Sequence, residues 1–222
     1  MKPVKFYICA AYRIIFLSLC GYGILLHFSL YDAGTNEKMF CYFTVQSNIL
    51  CFITFLCITL KMFSDEKLPG HNILIFFKGM STVSIIVTFV IFHFFVAVFK
   101  FDFFSGGTYD LSTKTLFAHY IVPILVVMDW LIFQEKGLYD FKSALEWLVF
   151  PLIYFLVIML RPVINIGAGF SESSKYPYFF MDLDRLGIMR CALYTLFFTI
   201  FIIAVGYMIV FIDKLLAQMQ SR

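Results

Sequence analysis

Thr44 and His119 are the side chains that most directly suggest chemistry. A threonine hydroxyl becomes a nucleophile when a neighbouring base takes its proton, and histidine is the base whose neutral form is available near pH 7. Around the threonine the chain reads Cys41-Tyr42-Phe43-Thr44-Val45-Gln46-Ser47-Asn48. Residues three and four apart share a helical face, so Thr44, Ser47 and Asn48 form one polar stripe. Ser47 or Asn48 is then placed to donate to a developing oxyanion or to orient the base. Around the histidine the chain reads Phe117-Ala118-His119-Tyr120-Ile121-Val122-Pro123. Pro123 has no N–H, so the carbonyl of residue 119 loses its helical partner, and a kink there makes room for a water or a substrate group. The same residues also fit a plainer role, in which Thr44 bonds back to its own helix and His119 donates to a neighbouring one as packing contacts.

Other polar groups widen the choice. His27, His93 and His119 fall in three different apolar stretches and could together ligate zinc, with Asp32, Asp102 or Asp110 completing a site. No pair of them has the spacing of a known ligand motif, so isolated histidines are the default. Arg161 ends an apolar stretch and can either grip a lipid phosphate or carboxylate through its planar fork or snorkel to water. Arg13 has Asp129 and Glu146 at a similar depth, and a buried ion pair with one of them would be structural. Cys41 and Cys191 lie near the ends of apolar runs and could bridge on an oxidising side, although nothing in their spacing demands it.

The elements that must position these groups follow from composition. The chain has 222 residues, of which 62% are hydrophobic, 20% aromatic and only 14% charged. A soluble domain carries about 25% charge. The composition excludes a disordered chain, a nucleic-acid-binding domain and most soluble enzymes, and it indicates an all-α polytopic membrane protein forming one domain over residues 1–222. Six stretches reach the roughly 20 apolar residues a span needs, at about Phe6–Tyr31, Phe40–Phe63, Ile73–Phe99, Thr115–Phe133, Leu145–Leu160 and Cys191–Ile212. They lack strict alternation, which argues against a barrel. The first is too long for a cleavable signal peptide and is interrupted by Arg13. The longest connector, Pro162–Arg190, holds Gly167-Ala168-Gly169, the polar run Ser171–Lys175 and an aromatic segment, Tyr176-Pro177-Tyr178-Phe179-Phe180, that suits the membrane surface.

Lysines and arginines set the expected orientation. An even number of spans puts both termini on one side, which collects 10 of the 17 basic residues, so both termini and the loop Ser64–His71 are expected in the cytoplasm, at the plasma membrane. The loop Phe101–Thr113 is then outside. Thr44 and His119 each fall four or five residues into their spans from the outer end, roughly 6–8 Å below the boundary at the helical rise. They can meet in the outer leaflet.

The string Phe43-Thr44-Val45-Gln46-Ser47-Asn48 resembles the F-T-x-x-S-N hallmark of a bacterial family of six-span integral membrane proteins. His119-Tyr120-Ile121-Val122-Pro123 followed by Asp129-Trp130-Leu131 resembles that family's H-Y-x-x-P…D-W-L segment. Trp147-Leu148-Val149-Phe150-Pro151-Leu152-Ile153-Tyr154 is similar to its W-L-x-x-P-x-x-Y segment, and Arg161 and Tyr176–Phe180 to its late R and Y-P-Y-x-F pieces. The family is distantly similar to the androgen-induced and androgen-dependent TFPI-regulating membrane proteins, intramembrane threonine hydrolases of fatty acid esters of hydroxy fatty acids. The resemblance implies a nucleophilic threonine at Thr44 and its histidine at His119. Those animal enzymes have an acidic residue and a glutamine soon after the threonine, where this chain has Ser47 and Asn48.

The expected function is a lipid-ester hydrolase or acyl transferase using Thr44 and His119, with no cofactor and membrane lipids as partners. An apolar tunnel should reach Thr44, with Arg161, Tyr176 and Tyr178 at its polar mouth binding the substrate's charged end. The alternatives are a non-enzymatic lipid or small-molecule binder or transporter, and a zinc-dependent intramembrane hydrolase built on His27, His93 and His119.

Overall fold

A computed structural model describes residues 3–28, 39–64, 71–97, 112–162 and 175–221. Six of its helices are long and apolar enough to cross a membrane: α1 (Val4–His27), α2 (Phe43–Phe63), α3 (Asn72–Phe94), α4 (Thr113–Phe133), α5 (Phe141–Leu160) and α6 (Leu183–Gln220). Among the described residues there is no strand. The protein is an all-α bundle with the character of an integral membrane protein. Large apolar side chains such as Leu193, Phe197 and Phe211 cover its outer surface because their alternative environment is lipid, not water. Asp32, Asp102, Asp110, Gly167-Ala168-Gly169 and most of Ser171–Lys175 lie outside the described residues.

Two helices run further than the apolar runs suggest. α5 starts at Phe141 because Asp140 and Ser143 bracket its first turn, the Asp140 N–H donating to Ser143 Oγ at 3.3 Å. It relaxes into a turn at Trp147-Leu148, and Pro151 explains the break, since its ring would meet the carbonyl four residues back. α6 starts at Leu183, where Asp182 Oδ1 accepts the Arg185 N–H at 3.1 Å. One turn later Gly187 adopts φ 73°, which a residue with a Cβ rarely does, and the helix then runs unbroken to Gln220.

The bundle has two halves, here called terminal (the end that carries the chain termini) and distal. In the terminal half Trp147 is the centre of a packed core with Val83, Val87, Tyr139, Val205 and Ile209. Its indole lies against the backbone of Gly79, where any Cβ would come within 2.1 Å of the ring. α5 and α6 cross closely there, with Gly206 facing Ala144. Arg13, buried to 6% exposure, donates to Asp129 Oδ1 at 2.9 Å and Oδ2 at 3.3 Å. Lys78 makes a second ion pair with Asp129. Of the two candidate partners, Asp129 is the one used, and Glu146 is exposed. Lys78 and Arg13 are thus neutralised inside the bundle, which removes two of the ten basic residues that favour a cytoplasmic terminal face.

Candidate active site

The distal half is built differently, because its helices leave the α-helical register. Residues Ile91–Ala97 and Phe117–Ile121 wind as π-helix. Such turns are rare and tend to mark functional positions. In α4 the Val122 N–H donates to the Phe117 carbonyl, five residues back. The Ala118 carbonyl therefore loses its α-helical donor, and the residue five places on, Pro123, has no N–H to replace it. Asn48 Nδ2 supplies that missing bond at 3.2 Å and also donates to the Thr44 carbonyl at 2.7 Å. The expected orphan carbonyl thus exists one residue earlier than the proline alone suggests, and a side chain from α2 satisfies it.

This bond brings α2 and α4 together at the level of Thr44. Thr44 Oγ1 lies 3.2 Å from His119 Nε2. The other ring nitrogen, Nδ1, lies 3.1 Å from the Thr115 carbonyl, which can only accept. In the neutral ring Nδ1 therefore carries the proton, and Nε2 is left as the acceptor for the threonine hydroxyl. This tautomer is assigned from the hydrogen-bond network. Phe92, from the π-helical turn of α3, stacks on the imidazole with centroids 3.8 Å apart and fixes its plane.

Ser47 and Asn48 face the same region as Thr44, yet both are bonded to backbone. Ser47 Oγ donates to the Thr44 carbonyl at 3.0 Å and lies 2.8 Å from Thr88 Oγ1. Their bonds hold α2 against α3 and α4. A further polar group at this end of the bundle is Tyr178. The Phe43 N–H, at the start of α2, donates to its phenol oxygen at 3.0 Å, and Tyr178 and Thr44 line the same cavity. Burial pushes the Tyr178 phenol up to about 12, so it stays protonated at neutral pH. Tyr178 is held by stacking on Phe180 at 5.1 Å and by edge contact with Tyr42 at 5.8 Å.

A cavity of about 370 Å³ opens beside this group. Thr44, His119 and Tyr178 form its polar end, with His27 and Lys114 also reaching it. The rest is mostly apolar wall from the start of α2 and from α3, α5 and α6. Thr195 and Thr199 line it too, but each hydroxyl bonds its own helix at 2.8 Å, to the carbonyls of Cys191 and Thr195. Arg161 and Tyr176 do not line the cavity. Arg161 Nη1 donates to the Lys175 carbonyl at 3.2 Å, anchoring the aromatic segment that carries Tyr178.

The three histidines separate into different roles. His27 Nδ1 bonds the Gly23 carbonyl at 2.9 Å, and His93 Nδ1 lies 3.1 Å from the Tyr120 hydroxyl. Among the described residues no three His, Cys, Asp or Glu side chains come together as a metal site. All six cysteines are free thiols, Cys41 and Cys191 included. The Tyr178 bond to the Phe43 N–H was not foreseeable from spacing, because it joins residues 135 positions apart. Comparison with protein-family models, curated proteins and solved structures gives no match to this chain.

Proposed function

We propose that this protein is an intramembrane lipid-ester hydrolase with Thr44 as nucleophile and His119 as base. The observation that carries the reading is the Thr44–His119 bond with the ring held in the base-competent tautomer, at the end of an apolar cavity. His119 Nε2 takes the proton as Thr44 Oγ1 attacks the ester carbonyl, and the resulting oxyanion accepts from the Tyr178 hydroxyl. The intermediate collapses, the alcohol leaves with the proton from His119, and an acyl-threonine remains. A water then attacks the acyl carbon and gives its proton to His119, which returns it to Thr44 as the acid departs. Another hydroxyl in place of water makes the same site an acyl transferase.

The motif resemblance to the six-span family and its distant threonine-hydrolase relatives supports this reading. The remaining excess of basic residues at the terminal face supports an orientation with both termini in the cytoplasm of a plasma membrane and the pair in the outer leaflet. A second reading, a non-catalytic binder of lipids, draws on the full engagement of Ser47 and Asn48 with backbone carbonyls.

A fluorophosphonate probe separates the readings. Labelling of the wild type at Thr44, lost in Thr44→Ala and reduced about 10²- to 10⁴-fold in rate in His119→Gln, is the expected result. Labelling that persists in Thr44→Ala excludes the threonine nucleophile, and the absence of labelling and of ester turnover in the wild type leaves the binder.

A further inference from the structure

The cavity has a floor and a side opening, and together they say how a substrate lies in it. Its inner end is closed by the packed core of the terminal half, because Val87 and Ile202 belong to that core and Leu148 packs on it. From the level of Tyr154 to Leu148 along α5 the depth is about 9 Å at the helical rise. An extended chain advances about 1.2 Å per bond, so roughly eight bonds fit below the threonine. A longer acyl chain cannot continue inward.

It can leave sideways. α5 and α6 touch at Ala144 and Gly206, and the aromatic segment bridges them at the distal end, where Phe180 packs on Phe198 at 4.6 Å and Tyr176 and Met181 pack with Tyr154 and Ile158. Between these two closures lies a window. Leu152 lines the cavity and is also 49% exposed on the bundle surface, so the cavity and the lipid-facing surface meet there. Across the window Thr195 and Thr199 have turned their hydroxyls onto their own helix, leaving methyl groups and an apolar rim.

We infer that this window between α5 and α6 is a lateral portal through which the long acyl chain of a bilayer-resident ester reaches Thr44, the distal part of the chain remaining in the membrane. The inference rests on the hydrolase reading for its chemistry and on the cavity's shape for its route. Short esters fit above the floor entirely and do not need the portal.

The test uses full-length protein in phosphatidylcholine vesicles and the variants Leu152→Trp and Thr199→Trp, which fill the window. Turnover of an umbelliferyl butanoate and of the hexadecanoate ester is compared. The long-to-short ratio should fall at least tenfold in both variants; a ratio within twofold of wild type overturns the portal. The second readout does not need catalysis: a phosphatidylcholine with a diazirine in its acyl chain should crosslink to α5 or α6 beside Leu152 and Thr199, and lose that crosslink in the tryptophan variants. Crosslinking without any ester turnover removes the hydrolase reading and leaves the lipid portal. No crosslinking at the window removes the portal, whatever the turnover.

Discussion

The terminal and distal halves of this bundle solve the cost of polar groups in a membrane in opposite ways. In the terminal half, Arg13, Lys78 and Asp129 neutralise one another within a side-chain cluster, and α1, α3 and α4, which carry them, keep regular α-winding there while Trp147 presses into the gap left by Gly79. In the distal half the groups that pair are weaker hydrogen-bonding ones. Backbone donors are missing at Ala118, two segments wind as π-helix, and the space beside them is a cavity instead of a core. Close packing with ion pairs fixes a structure, whereas an opened helical ladder with neutral polar groups around a void leaves room for a ligand.

The largest effect should come from removing the charge that holds the terminal half. Asp129→Ala leaves Arg13 and Lys78 as buried cations with no counter-charge, and breaking a buried pair in this way costs about 3–5 kcal/mol. Thermal unfolding of purified protein in detergent should show it, with little folded protein recovered. A stability within about 1 kcal/mol of wild type would mean that the cluster does not hold the bundle.

The next effect is pH dependence from two phenols outside the spans, the buried Tyr139 and the half-buried Tyr178. Burial raises Tyr178 to about 12 from an ordinary value of 10.0 and also raises Tyr139. The unfolded chain loses these protons from about pH 10 upward while the folded one keeps them, so the stabilisation is complete below pH 10 and is lost as the pH climbs through the folded values. For Tyr178 the loss approaches about 3 kcal/mol. Unfolding midpoints measured from pH 8 to 12 should fall above pH 10, and Tyr178→Phe should remove the distal half's share of the fall and leave that of Tyr139.

Packing supplies a smaller contrast. Gly79→Ala puts a methyl group 2.1 Å from the Trp147 ring and should cost about 1–3 kcal/mol. The terminal half cannot absorb that atom without moving the indole. Equal tolerance at Gly79 and at the cavity wall, tested with Ile91→Phe, would remove the distinction between a packed and an open half.

How far the sequence could go differs between the halves. The apolar runs located all six spans, and matched depth brought Thr44 opposite His119. A buried carboxylate partner for Arg13 could be expected because Asp129 and Glu146 both lie at its level, and only the fold selects Asp129. Lys78 was readable only as a basic residue near a membrane face, since its sequence position does not tell a snorkelling lysine from one turned inward to a carboxylate. The Pro123 signal marked a break in α4, yet the π-helical turn ahead of it, and with it the Asn48 bond to Ala118, depends on which amide each carbonyl meets after the helix rewinds. The extra length of α6 escaped because Asp182 and Gly187 act through backbone geometry outside the apolar run. Tyr178 entered as part of an aromatic surface segment, and only the folded chain sets its hydroxyl against the start of α2.

The smallest effect on stability is expected at Thr44 itself, and it decides between packing and chemistry. Thr44→Val keeps the shape of the side chain and removes only the hydroxyl. His119 Nε2 then loses a partner, but it faces a cavity of about 370 Å³, far more than a water needs. Water can take the place of the hydroxyl, so the change should cost less than about 1 kcal/mol, where an orphaned buried group would cost about 1–3 kcal/mol. A Thr44→Val protein with wild-type unfolding behaviour and no probe labelling would assign the hydroxyl to catalysis. A loss of 2 kcal/mol or more would mean that water does not replace it, and that the threonine holds α2 to α4 as an ordinary structural bond.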